Sequence, residues 1–155
     1  MTAPESTAKP VVHSPGQSRT IHVFGDEVTF HLTGEQTGGR LVMFTDVTPP
    51  GGGPPPHRHL NEDEWWFVLE GQASFLIEGQ WRPVAAGSAV FAPKGSVHTF
   101  RNDGKTPLRQ LVSMSPAGFE TFFSRCAVEF AKATGPDLQR IVAIGADHGI
   151  QFVNP

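Results

Sequence analysis

From Ile21 to Ser115 short apolar runs alternate with turn residues, and within the runs apolar and polar positions alternate singly. Val28, Phe30 and Leu32 fall on one side of such a run, with Thr29 and His31 on the other. That period of two is what a strand imposes, because successive side chains leave opposite faces of a sheet. The pattern predicts strands near 21–24, 27–32, 40–47, 63–69, 73–79, 81–85, 88–92, 97–102 and 107–114, each bounded by turn residues. Two-faced sheets bury the apolar face by packing together or by closing, so an all-β sandwich or barrel follows.

The texture changes after Ser115. Phe119, Phe122, Phe123, Cys126 and Phe130 recur at spacings of three and four, the period of an amphipathic helix, and Ser115-Pro116 reads as its start. A second helix is predicted from about 137 to 148, with Leu138, Ile141 and Val142 on its apolar face and Gly149 to end it. Both helices are expected to pack outside the barrel. The chain thus divides into a flexible arm (1–19), a β-barrel (20–115) and a helical extension (116–155). Within the barrel, the run Pro49-Pro50-Gly51-Gly52-Gly53-Pro54-Pro55-Pro56 must be a loop, because proline lacks the amide donor a central strand needs.

Composition narrows the function classes. At 155 residues there is room for one domain with a real core. The 17 Gly and 14 Pro alternate with apolar runs, which suits many short strands joined by tight turns. The 12 Lys and Arg residues form no basic run and the net charge is -3, so nucleic acid and anionic membrane are not expected partners. No apolar stretch approaches the ~18 residues of a membrane-spanning helix. Residues 1–19 lack the apolar centre of a secretory signal, so the expected location is cytoplasmic. Cys126 has no partner cysteine and reads as a buried structural thiol.

The candidate chemistry lies in two stretches. The first runs from Gly51 through His57-Arg58-His59 to Glu64 and Gly71; the second runs from Gly87 through Pro93-Lys94-Gly95 to His98 and Asn102. Two residues apart on an extended segment, His57 and His59 project from one face and reach one ion. Glu64 follows on the next strand after a turn at 60–63, and His98 closes the set if the sheet curls round. Three imidazoles and a carboxylate suit one divalent transition metal per chain, whether Fe, Mn, Co, Ni, Cu or Zn, whereas Ca and Mg want oxygen ligands. His13, His22, His31 and His148 each stand alone and read as structural.

At every defining position, glycines, Pro93 and Asn102 included, these stretches resemble the two sequence motifs of the cupin superfamily. The segment Ser115-Pro116-Ala117-Gly118-Phe119-Glu120 and the helix after it resemble the tail of bacterial single-domain cupins grouped with quercetin dioxygenases. The resemblance implies a jelly-roll barrel, a homodimer, and His57, His59, Glu64 and His98 as metal ligands with open positions beside them.

On that footing the expected function is a metal-dependent dioxygenase acting on a small aromatic or enolic compound such as a flavonol, with Glu64 as ligand and base. Isomerisation or decarboxylation of a sugar or small acid is a second reading, favoured if Arg or Lys enters the pocket. A metal- and ligand-binding protein without turnover is a third. Trp66 shares strand parity with Glu64, and Phe100 with His98, so both are expected to face the metal cavity, with Met43 and Phe91 as further candidates.

Overall fold

The computed structural model describes residues 8–153. Residues 1–7 of the predicted arm therefore lie outside the described residues. Strands β1 (Arg19–Val23) and β2 (Asp26–Leu32) lead through the short helix α1 (Gly34–Thr37) to β3 (Val42–Thr48). Then come β4 (His57–His59), β5 (Asp63–Glu70), β6 (Gln72–Ile77), β7 (Gln80–Ala85), β8 (Ala89–Ala92), β9 (His98–Arg101) and β10 (Leu108–Ser115). Helices α2 (Phe119–Phe130) and α3 (Leu138–Asp147) follow, and β11 (Ile150–Phe152) ends the described chain.

The strands form two antiparallel sheets, ordered β1-β2-β3-β10-β5-β8 and β11-β4-β9-β6-β7. The chain-order jumps within each sheet are those of a jelly roll. Alternation does the packing that it predicted. Phe30 pairs with Phe44, Phe44 with Val112 and Val112 with Trp66, making one buried row across the larger sheet. From the smaller sheet the neighbours Phe75 and Phe100 rise to meet it, with the Trp66 ring 5.3 Å from Phe75. Each such side chain taken from water stabilises the fold by roughly 1.5–3 kcal/mol.

Four expectations need correction. The two sheets do not close into one hydrogen-bonded barrel; they face each other as an open pair. The first C-terminal helix starts later than predicted. Ser115 ends β10, where its hydroxyl donates to Arg40 O, and Gly118 precedes the first turn with Glu120 accepting its amide at 2.8 Å. In α3 the buried face is Ile141, Ile144 and Gly145, while Leu138 and Val142 are exposed; Asp137 caps it by accepting from the amides of Gln139 and Arg140. The fourth is β11, a strand too short to leave a periodic trace. No described helix is long and apolar enough to cross a membrane.

Candidate metal centre

The proline-glycine loop delivers the first two histidines. Gly53 has φ 147°, and a Cβ there would lie 2.1 Å from Phe100 O, so only glycine lets the loop pass this close to β9. Asn102 locks the same crossing. Its side-chain amide donates to Thr48 O and Thr106 O, and its backbone exchanges hydrogen bonds with Gly51 and Gly52. Beyond the loop, β4 is held on both sides, pairing His57 with His98 on β9 and with Phe152 on β11. Gly95 N donates to His59 O at 2.6 Å, tying the turn before His98 to the strand that carries the other two histidines.

These constraints bring the four predicted residues together. One ligand atom from each of His57, His59, Glu64 and His98 lies within 4.8 Å of all the others. The His57 and His98 rings are 4.7 Å apart, and those of His59 and His98 are 5.5 Å apart. His57 Nδ1 donates to Pro55 O (2.9 Å) and His98 Nδ1 to Ser96 O (3.0 Å). A carbonyl can only accept, so these bonds place the proton on Nδ1 and turn the Nε2 side of each ring inward, as metal-binding histidines require. Glu64 Oε2 sits between His98 Nε2 at 3.0 Å and His59 Nε2 at 3.1 Å. His59 Nε2 is fully buried, yet no hydrogen bond reaches it in a bonding direction. A buried nitrogen left this way beside a carboxylate and two inward imidazoles fits a cation at the centre of the set.

Electrostatics separate the histidines. Burial pushes His57 down to about 3, helped by the neighbouring rings of His59 and His98, so it is neutral. Burial also pulls on His59, but the Glu62 and Glu64 carboxylates outweigh it and raise it to about 9. Burial opposes ionisation of Glu64 as well, and there the adjoining His59 and His98 imidazoles, 3.1 and 3.0 Å from Oε2, win and hold it far below the usual carboxylate range. Glu62, itself buried, places Oε2 3.6 Å from His59 Nδ1, a charge contact on the far side of the ring from Glu64. The sequence reading passed over Glu62, although its offset of three from His59 was visible.

The cluster opens into a cavity of about 60 Å³ between the sheets. Trp66 and Phe100 line it as their parity predicted; Met43 and Phe91 do not. Phe91 pairs with Trp65 on the outer face of β5–β8 and is 58% exposed, and Met43 is half-buried on the opposite side of β3 from Phe44. Both have the wrong parity. Helix α2 was expected outside the barrel, but its Phe119, Phe122 and Phe123 cap this cavity, and the Phe119 ring stands 5.2 Å from His59. Among the described residues no Lys or Arg lines the cavity. Arg58, Arg82, Arg101 and Arg109 instead partner Gln151, Glu78, Asp103 and Glu70 at the surface. Cys126 is buried, which pushes its thiol up to about 12 and leaves it inert.

Residues 44–114 match the cupin domain family, which covers β3 to β10 and all four clustered side chains. Among curated proteins, the chain is 35% identical over 63 residues to the oxalate-binding protein of Thermotoga maritima, 41% of this chain and 52% of that one. It is 26% identical over 117 residues to the quercetin 2,3-dioxygenase of Bacillus subtilis, 75% of this chain and 34% of that one. The chain thus spans about half the length of the first relative and a third of the second. Among solved structures, KdgF from a Halomonas species superposes with a TM-score of 0.63 at 18% identity, covering 73% of this chain and 99% of that one. A predicted oxalate decarboxylase of Thermotoga maritima gives 0.59 at 25% identity, covering 68% and 99%. Residues 44–114 of the chain carry a cupin domain.

Proposed function

We propose that this cupin is a metal-dependent dioxygenase for a small enolic or diphenolic compound. The observation that carries the reading is a His57, His59, Glu64, His98 cluster opening into a cavity walled by aromatic rings, with no Lys or Arg among its described lining residues. A dianionic acid or sugar phosphate entering that cavity would meet the Asp26, Asp46 and Glu64 carboxyls and, beside the metal, no Lys or Arg to bind its second charge. The same feature tells against the decarboxylase and isomerase reading. At about 60 Å³ the space is well under the ~300–1,000 Å³ of pockets for drug-sized ligands, so a one-ring diphenol suits it better than a three-ring flavonol.

A divalent transition metal held by the four side chains would supply Lewis acidity toward an enolic oxygen and redox access to dioxygen. The chain's own contributions follow from position. Glu64 Oε2 is the anionic oxygen placed to take the proton of an incoming enol or phenol. Trp66 and Phe100 present ring surface to the substrate, and the α2 phenylalanines exclude water from it. The relation to a quercetin dioxygenase over three-quarters of the chain supports the reaction class.

The test is metal analysis of gently purified protein paired with oxygen uptake on catechol-like compounds, flavonols and oxalate. The expected result is about one Fe, Mn, Co, Ni or Cu per chain and uptake that depends on the diphenol. Bound metal with no uptake on any enolic substrate overturns the oxygenase reading. A homodimer is part of the proposal, seated on the outer strip of Trp65, Phe67 and Phe91; a single-chain mass by light scattering removes it.

A further inference from the structure

The cavity has a second chemical end, away from the histidines. Asp26 on β2 and Asp46 on β3 both line it, 8% and 5% exposed. Their carboxyls lie together with Thr48 beside Asp26, and burial raises both above the ordinary range, Asp46 the more because it also feels the Asp26 and Glu64 charges. Two touching carboxyls cannot both ionise cheaply, so the pair shares a proton and presents one donor among several acceptors.

Gln110 on β10 stands directly across the ladder from Asp46 and is fully buried. Neither atom of its amide has a hydrogen-bond partner. Oδ1 of Asp26, Oδ1 of Asp46 and the Thr48 hydroxyl are likewise buried, with no partner beyond one another. Unmet polar groups destabilise a core, and a protein with no use for them would carry Leu or Val here, as it does at the flanking inward positions Val28, Val68 and Val112. Buried polar groups kept at a cost to stability mark binding sites.

We propose that Asp26 and Asp46, with Thr48 beside Asp26 and Gln110 across the ladder behind Asp46, form a second binding pole that receives a hydroxyl group of the substrate, while an enolic oxygen of the same molecule lies at the histidine cluster. A hydroxyl both donates and accepts, which matches the one donor and several acceptors of the proton-sharing Asp pair. The inference rests on the reading of this cavity as the substrate site and narrows it to polyhydroxylated compounds. Specificity follows from the same groups, since a substrate lacking the hydroxyl leaves them desolvated and unpaired.

The test uses the full chain loaded with metal and titrated anaerobically with hydroxyquinol and 4-methylcatechol, probes of the same shape that differ by a hydroxyl in place of a methyl. The wild type is expected to bind hydroxyquinol about tenfold more tightly. Gln110→Leu and Asp46→Asn lose that preference while keeping their affinity for 4-methylcatechol. Gln110→Leu also gains about 2–4 °C in Tm, which a purely structural role would reverse. Equal affinities in the wild type, a preference that survives both variants, or an equal loss for both probes overturns the second pole and leaves the oxygenase reading standing. Failure of both probes to bind metal-loaded protein overturns the two together.

Discussion

The histidine wall and the phenylalanine cap of the cavity touch at His59 and Phe119, and they divide the physical work between them. The wall is three short strands, β4, β9 and β11, tied by backbone bonds and faced by Glu64 of β5, and its His59 Nε2 is a buried nitrogen that no hydrogen bond satisfies. The cap is one helix whose Phe119, Phe122 and Phe123 meet one another and Phe24 and Phe44 through ring contacts alone. Chemistry therefore sits where the fold loses stability, and stability sits where there is no chemistry. If that division is real, the two sides can be damaged separately.

Damage to the wall should produce the largest effect. Sites of this ligand count bind with apparent free energies on the order of 10–16 kcal/mol in structural zinc proteins. Glu64→Gln removes the anion at the centre of the set and is expected to drop metal content toward zero and abolish turnover, with the fold retained. His148→Ala, whose ring meets Phe122 and Arg125 at the surface, should change neither. Full metal content in Glu64→Gln would dissolve the distinction between wall and cap. Phe119→Ala is the converse test. It empties a 6%-exposed ring position, so denaturant unfolding should show a loss of about 3–5 kcal/mol while metal per chain stays the same. Metal lost together with stability would show that the cap positions His59.

The wall was legible in the sequence and the cap was not, for a physical reason. Ligand spacing within a strand is local, so His57 and His59 could be placed on one face before the sheets were known, and the resemblance to the cupin motifs implied Glu64 and His98 as their partners. The spacing of Phe119, Phe122 and Phe123 defines a helix face but carries no information about what the face meets. Inward parity was also misjudged for Phe91 and Met43, although Met43 and Phe44 are adjacent and only one of them can point in. The acidic pole went unread because a polar residue in an alternating strand looks like an outward one. Its parity was available throughout: Asp26 goes with Val28 and Phe30, Asp46 with Phe44, and Gln110 with Val112.

Glu62 sharpens the comparison at smaller scale, because it belongs to the wall without being a ligand. Its Oε2 stands behind His59 Nδ1 at 3.6 Å. Glu62→Gln removes the charge but keeps the shape. Partners of this kind are worth about 10–100-fold in metal affinity, and a competition assay with a chelator should find a loss in that range. Unchanged affinity would reduce Glu62 to a bystander.

The smallest effect is a slope. A metal ion requires neutral imidazoles, and in the metal-free protein His59 is protonated below about 9, whereas His57 is neutral above about 3. Between pH 6 and pH 8 binding should therefore release about one proton at His59, and affinity should rise about tenfold per pH unit, flattening as pH passes 9. Calorimetry in buffers of different ionisation enthalpy counts that proton directly. Glu62→Gln takes away one of the two carboxylates that hold His59 up, so its flattening should begin at lower pH than in the wild type. A pH-independent affinity in the wild type would mean that His59 is already neutral, and that the Glu62 carboxylate steers the ring without charging it.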